Sequence, residues 1–501
     1  DMKNVMIIGA GESGQTILRD IKRRYEDNLR VSCFIDDDTN KWQRLVEGVP
    51  VVGGRDDILQ SVEKYSIRQI LLAIPSATAE QKRDLINICN ETSCEVKILP
   101  GIYQLVKDEV TIANMKDVAI EDLLGRDPIK IDMAACFEFI NGKTILVTGG
   151  GGSIGSELCR QIAAHSPKQL IIFDIYENNA YAIEQELKAN YPQLNLAVII
   201  GSVRDSRRVN QVFKTYRPEV VYHAAAHKHV PLMEDSPEQA VRNNVFGTYN
   251  VAKCAKEHGA KRFVMISTDK AVNPTNVMGA SKRMAEIIIE AMQKQSSTTQ
   301  FTAVRFGNVL GSNGSVVPLF ERQIRAGGPV TLTHPDIIRY FMTIPEAASL
   351  VLQAASIARG GELFVLDMGK PVKIRELAER MIQLYSDPLK PPVEIVYTGL
   401  RPGEKLYEEL LVKTEQLGKT ENSLIFIETA TPLRKEELDE RLALLEQACD
   451  TQSDEAVREA LRQTVPTYCS PDDMPVQAEQ PTTLRAHRRL LDHSASERIR
   501  V

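Results

Sequence analysis

The 501-residue chain lacks any run of about 18 apolar residues, so no part of it can cross a bilayer as a helix. It shows no signal-peptide pattern. It has no excess of positive charge either. Its 61 Lys and Arg against 67 Asp and Glu leave a net charge of −6, which argues against a nucleic-acid footprint but leaves room for a local basic pocket. None of the eight cysteines forms a C-x-x-C pair, and several lie inside apolar runs. That pattern excludes the usual zinc and disulfide frameworks and leads us to expect reduced, buried thiols and no metal. What remains, 43% hydrophobic and 26% charged, is the composition of a globular α/β protein long enough for two or three domains.

The strand pattern starts almost at the first residue. Val5–Ile8 leads into Gly9-Ala10-Gly11-Glu12-Ser13-Gly14, and a helix is expected from about Gln15 to Arg24. Such an abrupt start leads us to expect that a segment has been removed upstream. Further strands are expected at 31–35, 69–74 and 95–99, with a helix over 79–89. This is a small parallel α/β domain spanning 1–125. After a connector at 126–142, strands are expected at 144–147, 169–173, 196–200, 220–223, 262–267 and 302–305, separated by amphipathic stretches. That is a second, larger doubly wound sheet, spanning 143–310. From 311 to 430 the alternation loosens into what reads as a substrate-binding lobe. Residues 431–501 read as a helical region followed by a polar, Arg-rich tail from Pro471. The fold class is therefore α/β, with two tandem Rossmann-like parallel sheets and a smaller C-terminal lobe.

The second sheet carries the stronger ligand signal. Thr148-Gly149 through Gly152-Ser153-Ile154-Gly155 form a strand-to-helix glycine turn whose spacing allows close backbone approach to a pyrophosphate at a helix N-terminus. Asp174 ends the next strand, 25 positions after Gly149. A carboxylate there can bind both ribose hydroxyls and repels a 2′-phosphate, so the expected cofactor is NAD rather than NADP. The first sheet has Gly9, Gly11 and Gly14 with Asp36, but no catalytic pattern follows within that domain.

Strand 262–267 delivers Thr268, Asp269 and Lys270 at its carboxyl end, where sheets of this kind bind ligands. Met278 and Lys282 follow, four apart on one helix face. Dehydrogenases of the tyrosine type present Tyr-x-x-x-Lys there, so a methionine stands where a proton base is usual. A thioether cannot take a proton. Met278 is instead expected to fill space against the sugar or the nicotinamide ring.

These stretches resemble the extended short-chain dehydrogenase/reductase superfamily. Within it the chain resembles the large bacterial nucleotide-sugar 4,6-dehydratases of polysaccharide biosynthesis and protein glycosylation. The resemblance rests on Thr148–Gly155, His223–Glu234, Asn244–Thr248, Ser267–Lys282, Arg305–Ser312 and Leu400–Leu406. The first domain, with its Phe34–Asp38 stretch, resembles the domain that precedes the catalytic one in these proteins. The resemblance implies UDP-N-acetylglucosamine as substrate and a 4-keto-6-deoxy sugar as product. It implies that NAD oxidises C4, that water is lost across C5 and C6, and that hydride returns to C6. Asp269 is then the acid that protonates the departing C6 hydroxyl, and Lys270 the base that takes the C5 proton. A lysine base must be neutral, and burial with Lys282 nearby is expected to lower its pKa. The C4 hydroxyl proton is expected to go to Asp269, with Thr268 polarising the oxygen. Related dehydratases acting on dTDP-glucose carry Asp-Glu here, so Asp-Lys sets this chain apart and fits the UDP-N-acetylglucosamine branch. The methionine-bearing branch is associated with retention at C5.

The resemblance also assigns the cofactor's neighbours. Ser202 and Val203 stand by the adenine, with Ser202 in place of the family's usual Asp. Ala224 and Ala225 pass the nicotinamide, and Lys282 holds its ribose. For the substrate, Lys228, His229 and Pro231 are expected to line the sugar site. Arg401 is expected on the diphosphate, Asn308 resembles the amide that contacts phosphate, Glu404 is expected on the uridine ribose, and Arg339 is a further substrate-binding candidate of the second lobe. Relatives often carry membrane-spanning helices ahead of the first domain, which places this part at the cytoplasmic side, and they pair through helices of the nucleotide domain, which implies a homo-oligomer. A UDP-sugar 4-epimerase and a non-catalytic nucleotide sensor are the competing readings.

Overall fold

The computed structural model describes residues 2–23, 28–100, 110–124, 133–385, 390–409, 417–428 and 431–471. The connector expected at 126–142 lies only partly among them, and the Arg-rich tail lies outside them. The chain divides into two compact units. One comprises Asp1–Ile129, Phe320–Thr331 and Arg375–Val396; the other comprises Lys130–Leu319, Leu332–Ile374 and Tyr397–Val501. Residues 311–430 are thus shared between the units. The reason is local: in the helix Ile374–Tyr385, Arg380 donates to the Leu123 carbonyl at 2.9 Å and Leu384 packs on the first unit's core.

Among the described residues the first unit's sheet has seven strands: β1 Lys3–Ile8, β2 Leu29–Ile35, β3 Leu45–Val46, β4 Val49–Gly53, β5 Gln69–Leu72, β6 Glu95–Ile98 and β7 Lys116–Asp117. Their order is β3-β4-β2-β1-β5-β6-β7. The inner strands are parallel and only β3 and β7 run against their neighbours. The first helix, Glu12–Arg23, begins earlier than the apolar periodicity implied, because it starts inside the glycine turn.

The second unit is built on β8 Thr144–Thr148, β9 Gln169–Asp174, β10 Leu196–Ile200, β11 Val220–His223, β12 Arg262–Thr268, β13 Gln300–Phe306, β14 Leu363–Leu366, β15 Leu417–Lys419 and β16 Ile425–Glu428. They lie in the order β10-β9-β8-β11-β12-β13-β14-β16-β15. Strands β10 through β14 are parallel, and β16 and β15 close the edge antiparallel. Parallel strands covered on both faces need unbroken apolar runs, and β8, Thr-Ile-Leu-Val-Thr, is buried at every position. Winding reverses between β8 and β11, so the crevice at the carboxyl ends of those two strands is the place for a ligand. The helix Val277–Gln295 buries Met284 and Ile288 in a core shared with Leu438, Leu445 and Leu461. Those leucines belong to the helices Lys435–Asp450 and Asp454–Thr464, the helical region expected near the C-terminus. The nucleotide-domain helix thereby carries its own chain's helix pair on one side. None of the eight cysteines is in a disulfide among the described residues, and six are buried. No helix among the described residues is long and apolar enough to cross a membrane.

Candidate active site

The turn after β8 is shaped by what its glycines omit. Gly149 has φ +65°, and a Cβ there would lie 2.7 Å from the Ala225 nitrogen. A Cβ on Gly155 would come 2.0 Å from the Gly149 carbonyl oxygen. Helix Ser153–Ala163 can therefore start only where no side chain intervenes, with Gly152 as its N-cap and its first N–H groups at the crevice. Asp174, at the end of β9, accepts from the Gly151 and Tyr176 nitrogens, both at 2.8 Å, one on each oxygen. Each oxygen keeps a further lone pair, so the carboxylate can still take two ribose hydroxyls. Ser202 accepts from the Arg204 nitrogen at 3.2 Å, and Val203 is buried beside Gly247. Ile154, Ala224 and Ala225 are half-buried along the same crevice.

Beneath Thr148 lies a residue with no role in the sequence reading. His223 is 1% exposed, with Nδ1 2.7 Å from Thr148 Oγ and Nε2 2.9 Å from Thr248 Oγ. Burial, helped by the Lys282 charge, pushes its pKa down to about 3, so the imidazole is neutral. Lys282 is 5% exposed and donates to the Ile266 carbonyl at 2.7 Å. Burial lowers its pKa to about 8 against the pull of Glu286. Two of its three protons stay free for a ribose. Glycine turn, Asp174 and Lys282 together fit a dinucleotide.

Strand β12 then brings the chemistry. Thr268 caps the short turn Asp269–Ala271 by accepting from the Lys270 nitrogen at 3.3 Å, and its hydroxyl donates to Asp269 at 3.1 Å. Asp269 is fully buried. Lys270 donates from Nζ to Asp269 Oδ1 at 3.1 Å and to Asn308 Oδ1 at 3.2 Å. The other oxygen, Asp269 Oδ2, has no hydrogen-bond partner among the described residues. Gly307 keeps space beside it, for a Cβ there would stand 3.0 Å away. Below, Ser267 donates to Glu286 at 2.6 Å, and Glu286 is locked to Arg305, itself paired with Glu428. This ion cluster is anchored on three elements and fixes the end of β12.

One expectation is corrected. Burial does work against the Lys270 charge, but Asp269 and Glu408 outweigh it and raise its pKa. Lys270 rests as an ammonium, not as the neutral amine a base must be. Glu408, 4% exposed and 3.9 Å from Lys270 Nζ, is the residue the sequence reading missed. The only available signal was a carboxylate just beyond the Leu400–Leu406 stretch.

The substrate candidates fare unevenly. Asn308 sits on Lys270 and is held by the Tyr340 carbonyl through its own nitrogen at 3.0 Å. Arg339 spends its guanidinium on the Ile338, Lys405 and Leu406 carbonyls, which makes it an anchor for the 405–406 segment. Glu404 accepts from Thr333 at 3.1 Å and from the Arg401 nitrogen at 3.1 Å, while Arg401 itself is exposed. Lys228 and His229 are exposed, Pro231 is half-buried, and burial lowers the pKa of both bases. Their loop is tied down by Asn244, which accepts from the His227 nitrogen and donates to its carbonyl. Met278 is 3% exposed, on the same helix face as Lys282 and within the core.

Comparison with known proteins adds to this geometry. The sequence profile of the polysaccharide biosynthesis protein family matches residues 145–430. The chain belongs to that family. Its relatives include the capsular polysaccharide biosynthesis protein CapD of Staphylococcus aureus, 49% identical over 417 residues, covering 83% of this chain and 69% of that protein. A UDP-glucose 4-epimerase of Rickettsia rickettsii is 34% identical over 288 residues, covering 56% of this chain and 80% of that protein. Among solved structures, Pen from Bacillus thuringiensis is 36% identical with a TM-score of 0.55, covering 59% of this chain and 92% of that one. The profile of a CoA-binding domain matches residues 1–100. There the Asp36 carboxylate accepts from the Ala10 nitrogen at 2.8 Å, much as Asp174 does from Gly151, but it is also paired with Lys41 at 2.9 Å. Most of the matched region, 145–430, lies in the unit that holds Asp269 and Lys270.

Proposed function

We propose that this family member converts UDP-N-acetylglucosamine into its 4-keto-6-deoxy derivative by an internal oxidation, dehydration and reduction. The observation that carries the reading is the buried Asp269–Lys270 pair at the carboxyl end of β12, with Asp269 Oδ2 left without a partner. Bound NAD+ supplies a hydride acceptor for C4 and, reduced, a donor for C6. The residues do the proton work. Asp269 accepts the C4 hydroxyl proton, with Thr268 fixing the oxygen. The C4 ketone acidifies C5, and Lys270, once it has lost its own proton, takes that hydrogen. Asp269 then returns its proton to the C6 hydroxyl, which leaves as water. Lys270, whose N–H protons exchange with solvent, delivers a proton to C5 on the face from which it took one, which retains configuration. Lys282 and the Gly149–Gly155 turn hold the dinucleotide, and Met278 packs against it without proton chemistry.

Epimerisation, the activity in the Rickettsia relative's name, needs a base at C4 and no acid at C6. Asp269 can serve as the first even with methionine at 278, but Lys270 beside it is surplus to an epimerase. Incubation with UDP-N-acetylglucosamine in deuterated water separates the two. The expected product has lost one water and carries one solvent deuteron at C5; an isomer of unchanged mass would overturn the proposal. Asp269→Asn should lower turnover by about 10²–10⁴-fold with NAD affinity unchanged, read by calorimetry and product formation. Unchanged turnover in that variant counts against the assigned acid.

A further inference from the structure

The dehydration proposed above leaves one proton without a destination. A base at C5 must start as a neutral amine, yet Lys270 rests as an ammonium with three side-chain oxygens around it. Two are Asp269 Oδ1 at 3.1 Å and Asn308 Oδ1 at 3.2 Å. Asp269 is committed to the C4 and C6 hydroxyls, and an amide oxygen does not take a proton. The third is Glu408, whose Oε1 lies 3.9 Å from Lys270 Nζ, an ion pair just outside hydrogen-bond distance. Its other oxygen, Oε2, is buried and has no hydrogen-bond partner among the described residues. A buried carboxylate left half-satisfied is costly unless it can shed its charge.

We propose that Glu408 is the proton acceptor that converts Lys270 into the base, a role that rests on the dehydratase reading. A Lys270 N–H bond breaks and a Glu408 O–H bond forms. The ion pair becomes a neutral amine beside a neutral acid, and the freed lone pair on Lys270 takes the C5 proton. The two side chains close from 3.9 Å to hydrogen-bond distance for the transfer, and no other donor or acceptor takes part. When Lys270 gives the C5 proton back, Glu408 returns its own and the resting pair is restored. Burial favours the neutral pair over two charges, and it also raises the Glu408 pKa, with Asp269 adding to the rise and Lys270, Arg339 and Lys405 opposing it. Lys405 is drawn off by Glu409 at 2.9 Å and the Val272 carbonyl at 3.0 Å, and Arg339 by backbone carbonyls. Glu408 acts only through Lys270.

The test is the pH–rate profile of the wild type against Glu408→Gln and Glu408→Asp, read as deuterium incorporation at C5 from solvent. The wild type should vary little through neutral pH, because the proton passes between Lys270 and Glu408 and is not lost to solvent. In Glu408→Gln the Asp269 carboxylate still holds Lys270 charged. Its rate should fall about tenfold to a hundredfold at pH 7 and climb with pH toward the wild-type value. Glu408→Asp should recover part of the neutral-pH rate. A wild-type profile in Glu408→Gln, or a loss independent of pH, overturns the proposal. If the wild type itself yields no dehydrated product, the dehydratase reading fails. The Glu408 proposal is then decided by NMR titration of ε-13C-labelled lysine, with the signal assigned by Lys270→Arg. The Lys270 signal should titrate differently in wild type and Glu408→Gln, and identical curves would overturn it.

Discussion

At the scale of single residues, charge state decides more than identity. Asp269, Lys270 and Lys282 lie close in the sequence, and their types announced proton chemistry before any coordinates. Their ionisation followed only partly from proximity along the chain. Asp269, next in sequence, does most to raise Lys270, but Glu408, which adds to it, lies far away in a segment with no periodic pattern. His223 was hidden for a related reason: a histidine at the end of an apolar strand reads as core until both its nitrogens are seen to bind threonines. That burial has a measurable consequence. The folded protein refuses a proton that the unfolded chain accepts below about pH 6.5, down to the His223 value of about 3. The unfolded state therefore binds more protons in that window, and stability is lost as pH falls through it, by roughly 5 kcal/mol in all. Urea unfolding of wild type and His223→Gln between pH 7 and 4 should diverge, with the wild type losing more. Parallel curves would refute a neutral, buried imidazole.

At the scale of elements, the strands and glycine turns were readable because each obeys a local rule. Parallel strands need apolar runs, and a phosphate-type turn needs missing side chains. The β8 turn is the clearest case. Gly155→Ala places a methyl 2.0 Å from the Gly149 carbonyl oxygen, on rigid backbone that cannot yield cheaply. Dinucleotide affinity measured by calorimetry should fall by at least tenfold in this variant, while Gly142→Ala, which meets nothing within 4 Å but has φ +70°, should cost stability alone. Equal affinities in wild type and Gly155→Ala would remove the turn from the cofactor site. The short elements past residue 310 were not readable. The antiparallel pair β15 and β16 draws its register from β14, a partner no local pattern names.

At the scale of the molecule, two sheets of the same winding order occupy one chain, and the sequence showed both. It did not show that segments 320–331 and 375–396 belong with the first. A fragment of residues 1–129 lacks the helix that seats Leu384 on its core, so it should melt below the same sheet within the full chain and bind more of a hydrophobic dye. A fragment as stable as the intact unit would contradict that assignment. The second sheet carries the central claim, that hydride taken from C4 of the sugar returns to C6 of the same molecule while Asp269 and Lys270 handle the protons. UDP-N-acetylglucosamine bearing deuterium at C4 tests it most directly. The account predicts a dehydrated product with the label at C6 in the same molecule; a product whose C6 holds no label, or an unlabelled ketone with the deuterium lost to the medium, would contradict it.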